Sequence, residues 1–266
     1  MNVDFVDDVT FATAYYDIGI GNDSLWSGFT RSTDLYFQYF ENVKTINCNL
    51  VIYCSEKHLQ KMKDCTKDRT NTKIVVREFT DLDFYVKFFE PVKTLMASAE
   101  YRSRVVANSP TPQVPEYNHP EYNIVNFNKI AFVVEAMNHF SSSYYGWIDF
   151  GFGYSKPYVK YTIDKDYGRR VTKDSKVFMR CFRVPQQQQL FNPSEYWHNN
   201  PSIQGSSFIE TEESIVKMYS LIENSIDTSI KMGCIDDDQT QYAMSYLLDP
   251  TNFNIVDGNW FTHFYE

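Results

Sequence analysis

Trp147-Ile148-Asp149-Phe150-Gly151 is the stretch on which the fold of this chain turns. Two large apolar residues lead to a single carboxylate, and the chain then meets Gly, the pattern of a buried strand that stops abruptly at a turn. Upstream, apolar runs suited to strands alternate with runs of helical spacing. Residues 9–16 are β-rich and give way to Asp17-Ile18-Gly19-Ile20-Gly21-Asn22, whose glycines let backbone approach a ligand closely. A helical pattern over 33–43 (Leu35, Tyr36, Tyr39, Phe40, Val43) leads to an apolar strand at 50–54, and a third strand spans 73–78. Residues 84–101 read as helix, interrupted or started at Pro91, and 121–140 as one long helix running straight to the Trp147 strand. The order βαβαβαβ over 9–150 predicts an α/β fold with an open, mainly parallel sheet covered by helices on both faces.

Downstream, strands are expected at 177–184 and 204–208. Helices are expected after Thr211 and over 239–248, with the polar run 185–189 as an excursion. At 266 residues the chain is long enough to bury a substantial core, and one domain spanning 1–266 accounts for it. No internal repeat is read from it. The net charge of -9 argues against nucleic acid or an anionic membrane surface as partner. Lys156, Lys160, Lys165, Arg169, Arg170 and Lys173 are interleaved with Asp164, Asp166 and Asp174, which reads as a solvated loop or hairpin. Five cysteines, an odd count with no C-x-x-C pair, suit a reducing compartment. The N-terminus is acidic where a signal peptide is basic, and no run reaches the roughly 18 apolar residues of a membrane span, so a cytoplasmic protein with no transmembrane segment is expected.

Ligands of open α/β sheets bind beyond the carboxyl ends of the strands, which is where Asp149 falls. A hard divalent cation bridging phosphates needs few protein oxygens, although a carboxylate there also serves as a turn cap. Asp236-Asp237-Asp238-Gln239 precedes a helix. One Asp is its N-cap, and three adjacent carboxylates also suit a cation, a hydroxyl-bearing substrate or proton transfer. Lys129 interrupts otherwise apolar helical rows and must either snorkel or meet an anion. His263 sits in an aromatic C-terminal segment, and Gly205-Ser206-Ser207 provides small residues beside a strand where a sugar ring or a plain turn fits.

These residues, in this order, resemble the HtrL/YibB family of glycosyltransferase-like proteins and, more remotely, the GT-A group of nucleotide-sugar transferases. The matching pieces are residues 9–19, the helix with Tyr36 and Phe40, Pro120-Glu121-Tyr122 leading to Asn128-Lys129, Trp147-Ile148-Asp149-Phe150-Gly151, Gly205 and Asp237-Asp238-Gln239. The resemblance implies a single GT-A-like domain with a nucleotide-sugar-binding half at 9–151 and an acceptor-binding half at 152–266. It implies transfer of a sugar from a UDP- or GDP-linked donor to a hydroxyl of a glycan or lipid-linked glycan. Thr13 and Tyr15 would contact base and ribose, and Arg31 and Lys129 the diphosphate, with Asp149 also on the donor side. Gly205 and Ser206 would line the acceptor. Asp238 would act as the base, with Asp237 orienting the acceptor and Gln239 beside the transferred sugar. Asp149 and His263 would hold a divalent metal, Mn²⁺ or Mg²⁺. Gly151 stands where the second Asp of the D-x-D signature is expected, and Ile20 where many relatives carry a basic residue. The glycine substitution motivates a competing reading, a carbohydrate- or nucleotide-binding protein without turnover on the same fold. A metal-dependent phosphohydrolase is disfavoured, because Asp149-Phe150-Gly151-Phe152-Gly153 lacks a D-x-D-x-T arrangement.

Overall fold

The computed structural model describes residues 4–19, 32–109, 111–153, 160–173, 175–185, 191–192, 196, 203–258 and 264. Its centre is one seven-stranded sheet built from β1 (Val6–Tyr15), β2 (Cys48–Cys54), β3 (Thr72–Val76), β4 (Tyr144–Ile148), β5 (Val177–Cys181), β6 (Ile203–Thr211) and β7 (Phe253–Asp257), in the order β3-β2-β1-β4-β6-β5-β7. β1 runs parallel to both β2 and β4, β2 to β3, and β5 to β7, while β6 runs antiparallel to β4 and β5. Six strands therefore share a direction and β6 alone is reversed. The mainly parallel α/β architecture expected from the sequence is the one observed.

The strands read as their burial requires. Cys-Asn-Leu-Val-Ile-Tyr-Cys of β2 is buried at every position, as a strand covered on both faces must be, whereas the edge strand β3 is only partly buried. On one face, Phe37, Phe40 and Val43 of α1 (Thr33–Val43) pack with Met62 of α2 (Leu59–Thr66) and Val171 of α7 (Tyr167–Thr172) against Phe11, Leu50, Ile52 and Ile209. On the other lie α3 (Asp83–Ala97), α4 (Ala99–Asn108), α5 (Pro120–Phe127), α6 (Lys129–Ala136), α8 (Glu212–Lys231) and α9 (Asp238–Leu248), packed over Ala12, Val51, Trp147 and Phe208. None of the described helices is long and apolar enough to cross a membrane.

Four local expectations are corrected. Helix α3 continues through Pro91, because Pro91 and Lys87, whose carbonyl it strands, both face solvent; the break comes at Ser98, whose hydroxyl accepts from the Tyr101 amide and starts α4. The helix expected over 121–140 is two, parted at Asn128, whose side chain is recruited by the Phe84 amide (3.1 Å) and the Ile124 carbonyl (2.7 Å). Lys129 thus opens a helix and does not interrupt one. Residues 167–172, expected in a loop or hairpin, form the short helix α7, with Arg170 paired to Asp164. Strand β7 escaped the sequence reading.

Candidate active site

Three elements deliver one charged cluster to the carboxyl edge of the parallel strands. Asp149 follows β4, and its amide donates to the Ser206 carbonyl at 2.8 Å, so the reversed β6 fixes the turn. Because β6 runs backwards, its first residues, Gln204 to Ser206, lie at the same edge as the last residues of β4. Asp237 is the N-cap of α9, accepting from the Gln239 amide, and Asp238 is the first helical residue. The break at Asn128 aims Lys129 at both. Its Nζ donates to Asp238 Oδ2 at 2.8 Å and to the Gly205 carbonyl at 3.0 Å, and lies 3.0 Å from Asp149 Oδ1. The indole N–H of Trp147 donates to that same Asp149 oxygen at 2.7 Å, and the Trp147 ring lies 5.9 Å from the ammonium.

Burial is strong: Lys129 is 5% exposed and Asp238 3%. Side-chain exposure at Asp149 is 35%, making it the member of the cluster that reaches solvent. Burial draws Lys129 down, but the charges of Asp149 and Asp238 outweigh it and hold the ammonium above the ordinary lysine range. Asp238 is pushed up by burial and drawn back by Lys129. Asp237 is carried well above the usual carboxylate range, first by burial and then by the charges of Asp238, Asp236 and Glu116. Asp236, whose oxygens accept from the Asp237 amide and the Thr240 hydroxyl, is raised by burial to about 6. Glu116 is raised to about 8 by burial and the charge of Asp236. The result is an acid-rich wall with one buried cation.

The residues singled out in the sequence divide into three groups. Lys129, Asp149, Gly205, Asp237 and Asp238 converge, with Ser206 and Gln239 beside them. The Gln239 side-chain amide donates to Asp237 at 3.4 Å, and its Oε1 has no partner among the described residues. Gly205 and Ser206 brace the carboxylates in this arrangement: a Cβ at Gly205 would stand 2.1 Å from Asp238 Oδ2. Thr13 and Tyr15 are buried within the sheet's aromatic side. The Tyr15 hydroxyl donates to Thr33 at 2.9 Å and its ring packs against Tyr36, Phe37, His58 and Phe150. Thr13 Oγ1 has no partner among the described residues. Arg31 and His263, like Ile20, lie outside the described residues. Lys129 does meet anions, but they are the chain's own carboxylates. Its three N–H donors are spent on Asp149, Asp238 and Gly205, which leaves none for a diphosphate in this arrangement.

Glu116 and Tyr122 were not assigned site roles from sequence. Tyr122, half-buried on α5, is raised well above the ordinary phenol by burial and by the charges of Glu116, Asp237 and Asp238, so it lies within their electrostatic reach. The sequence does carry a short internal repeat here, against the expectation of none: Pro115-Glu116-Tyr117-Asn118 recurs as Pro120-Glu121-Tyr122-Asn123. The first copy supplies the acid and the second the phenol.

The described donor set does not fit a divalent metal. No group of three or more His, Cys, Asp or Glu residues among the described residues is arranged to hold one. One oxygen of Asp149 already serves both Lys129 and Trp147. At Gly151, where a second acid is expected, a Cβ would point to the rings of Tyr36 at 3.4 Å and Tyr39 at 3.7 Å. A doubly charged ion sharing Asp149 with Lys129, at roughly 5 Å from the ammonium, would be repelled by about 7 kcal/mol at an effective dielectric of 20.

A family model described as bacterial protein of unknown function (HtrL_YibB) matches residues 7–265. The chain belongs to the HtrL/YibB family. Within reach of that family, Protein HtrL of Escherichia coli strain K12 is 26% identical over 268 residues, covering 96% of this chain and 90% of HtrL. Among solved structures, mouse xyloside xylosyltransferase 1 in its apo form aligns at a TM-score of 0.46 and 12% identity, over 96% of this chain and 86% of that one. Core-mannan synthase A from Aspergillus fumigatus, in a Mn/GDP form, aligns at 0.49 and 10%, over 93% and 72%.

Proposed function

We propose that the chain is a nucleotide-sugar-dependent glycosyltransferase, moving a sugar from a UDP- or GDP-linked donor to a hydroxyl of a glycan or lipid-linked glycan. The observation that carries this reading is the buried Lys129–Asp149–Asp238 cluster at the carboxyl edge of β1 and β4. Beside β1 the connection from β1 to β2 runs over one face of the sheet and the connection from β3 to β4 over the other, a switch point of the kind where open α/β sheets receive ligands. Asp149, the accessible acid, faces the donor.

In this reaction the bond from the anomeric carbon to the diphosphate oxygen breaks, the acceptor oxygen bonds to that carbon, and the acceptor proton passes to a carboxylate. Asp238 is a poor proton acceptor while Lys129 holds it. Asp237 is the alternative: the ion pairs of Lys129 go to Asp149 and Asp238, and Asp237, at the mouth of α9, feels Lys129 only through its charge. We therefore assign the base role to Asp237 and the anchoring role to Asp238. Positive charge developing on the sugar ring would be stabilised by the surrounding acids, with the unpartnered Gln239 oxygen at hand. The diphosphate falls to Arg31, as the family resemblance implies.

Glycine at 151 and the sealed Tyr15 favour the alternative of a binding protein without turnover. Calorimetry with UDP and GDP, on wild type and Asp149→Ala, tests both readings. Binding weakened at least tenfold in the variant supports the donor site, and release of free sugar or nucleotide from a matching donor then separates enzyme from binder. Absence of binding by either nucleotide would overturn the transferase.

A further inference from the structure

The surroundings of Lys129 carry an inference that rests on the transferase reading and deepens it. Three oxygens from three separate elements converge on one nitrogen: Asp238 Oδ2 at 2.8 Å, Asp149 Oδ1 at 3.0 Å and the Gly205 carbonyl at 3.0 Å. Two come from carboxyl groups and all are hard oxygen donors, the set that elsewhere attracts a hard metal ion. We propose that Lys129 is the resident cation of this site, its ammonium occupying the place of a divalent ion, so that the donor nucleotide binds without metal.

Several independent features serve this lysine cage and are superfluous to a metal site. Trp147 offers its N–H to Asp149 and its ring to the ammonium, within the roughly 6 Å over which a cation is attracted to an aromatic face. Residue 205 has no Cβ, which is the condition for Asp238 to approach Lys129 at all. The break at Asn128 places Lys129 on the first turn of α6, where the helix dipole disfavours a cation, and the two carboxylates overcome that cost. Position 151, where a second metal-binding acid is expected, is glycine beside Tyr36 and Tyr39. The competing arrangement, in which Lys129 merely orients Asp149 for a metal on its other oxygen, makes opposite predictions.

The test measures Mn²⁺ binding by electron paramagnetic resonance of the free ion, alone and with UDP or GDP, in wild type and in Lys129→Met, which keeps the stem and removes the charge. The expected result is no stoichiometric Mn²⁺ site in wild type, nucleotide affinity unchanged within about twofold between Mn²⁺ and EDTA, and a Mn²⁺ site gained in Lys129→Met at least about tenfold tighter than any in wild type. One equivalent of Mn²⁺ bound by wild type, or nucleotide affinity raised tenfold or more by Mn²⁺, overturns the inference. A folded Lys129→Met that gains no site also overturns it, since the three oxygens would then not be a cation site. If Lys129→Met does not fold, Lys129→Met/Asp238→Asn removes one of the two stranded charges, and the wild-type arms decide in any case. Failure of both nucleotides to bind refutes the transferase alone, and the metal-only arm still judges the cation.

Discussion

Replacing Gly205 by alanine adds a single methyl group at the tightest point of the site. A Cβ there stands 2.1 Å from Asp238 Oδ2, 2.7 Å from its Cγ and 2.8 Å from Oδ1. Non-bonded atoms settle at roughly 3.5 Å, so the carboxyl must retreat by more than about 1 Å. Its contact with Lys129, 2.8 Å in the native arrangement, would open towards about 4 Å and cease to be a hydrogen bond. Breaking a buried ion pair costs about 3–5 kcal/mol. Alanine's smaller chain entropy in the unfolded state returns less than about 1 kcal/mol. We expect a net loss of about 3 kcal/mol in urea unfolding of Gly205→Ala. Gly151→Ala, whose methyl group would meet the Tyr36 ring at an ordinary 3.4 Å, should stay within about 1 kcal/mol of wild type. In a Lys129→Met background the same Gly205→Ala change should cost at least about 1 kcal/mol less, because the contact it breaks is already gone. A Gly205→Ala midpoint indistinguishable from wild type would refute the argument that the glycine exists to admit Asp238.

Glu116 and Asp236, raised to about 8 and about 6, bind protons more tightly in the folded chain than in the unfolded one. Their contribution to stability is full below the ordinary carboxyl range and is lost as pH rises through those values. Unfolding free energies should therefore fall between about pH 4 and pH 8, by about 2 kcal/mol or more, and Glu116→Gln should flatten the slope; a rising slope contradicts the assignment. Glu210 is fully buried on β6 with neither carboxyl oxygen partnered among the described residues, and burial carries its carboxyl well above the usual carboxylate range. Glu210→Met should stabilise by about 1–3 kcal/mol at alkaline pH and by less in acid, and loss of stability at both would show an overlooked partner. Trp147→Phe keeps the ring but removes the donor to Asp149. It should cost about 1–2 kcal/mol and weaken nucleotide binding, so unchanged calorimetry would dissociate the indole from the site.

The parallel sheet was legible because its strands are short apolar runs separated by helical spacing, and β2 shows why: a strand buried on both faces has no polar alternation to confuse. Strand β7 was not legible, since Phe-Asn-Ile-Val-Asp at an edge is half polar. Asp149, Asp237, Asp238 and Lys129 could be named from sequence, each as an anomaly in its own element. Their mutual pairing could not, because Lys129 and Asp238 stand 109 residues apart and only the reversed β6 and the break at Asn128 bring them together. Glu116 was missed for the opposite reason, lying in a Pro-rich segment with no periodicity to stand out against.

The ion cluster also bears on how the chain is made. Lys129 and Asp149 leave the ribosome long before Asp238, so helix α9, which carries their partner, packs on the sheet only after about ninety further residues have been made. Until then Lys129 and Asp149 have only each other, and the cluster lacks its most deeply buried acid. Contacts so distant in sequence are made late, and a nascent chain that stops before residue 238 holds β1 to β6 but lacks α9, the helix packed on β6, and the edge strand β7. The carboxylate that completes the pairing of Lys129 is thus encoded far downstream of the strands and helices it joins.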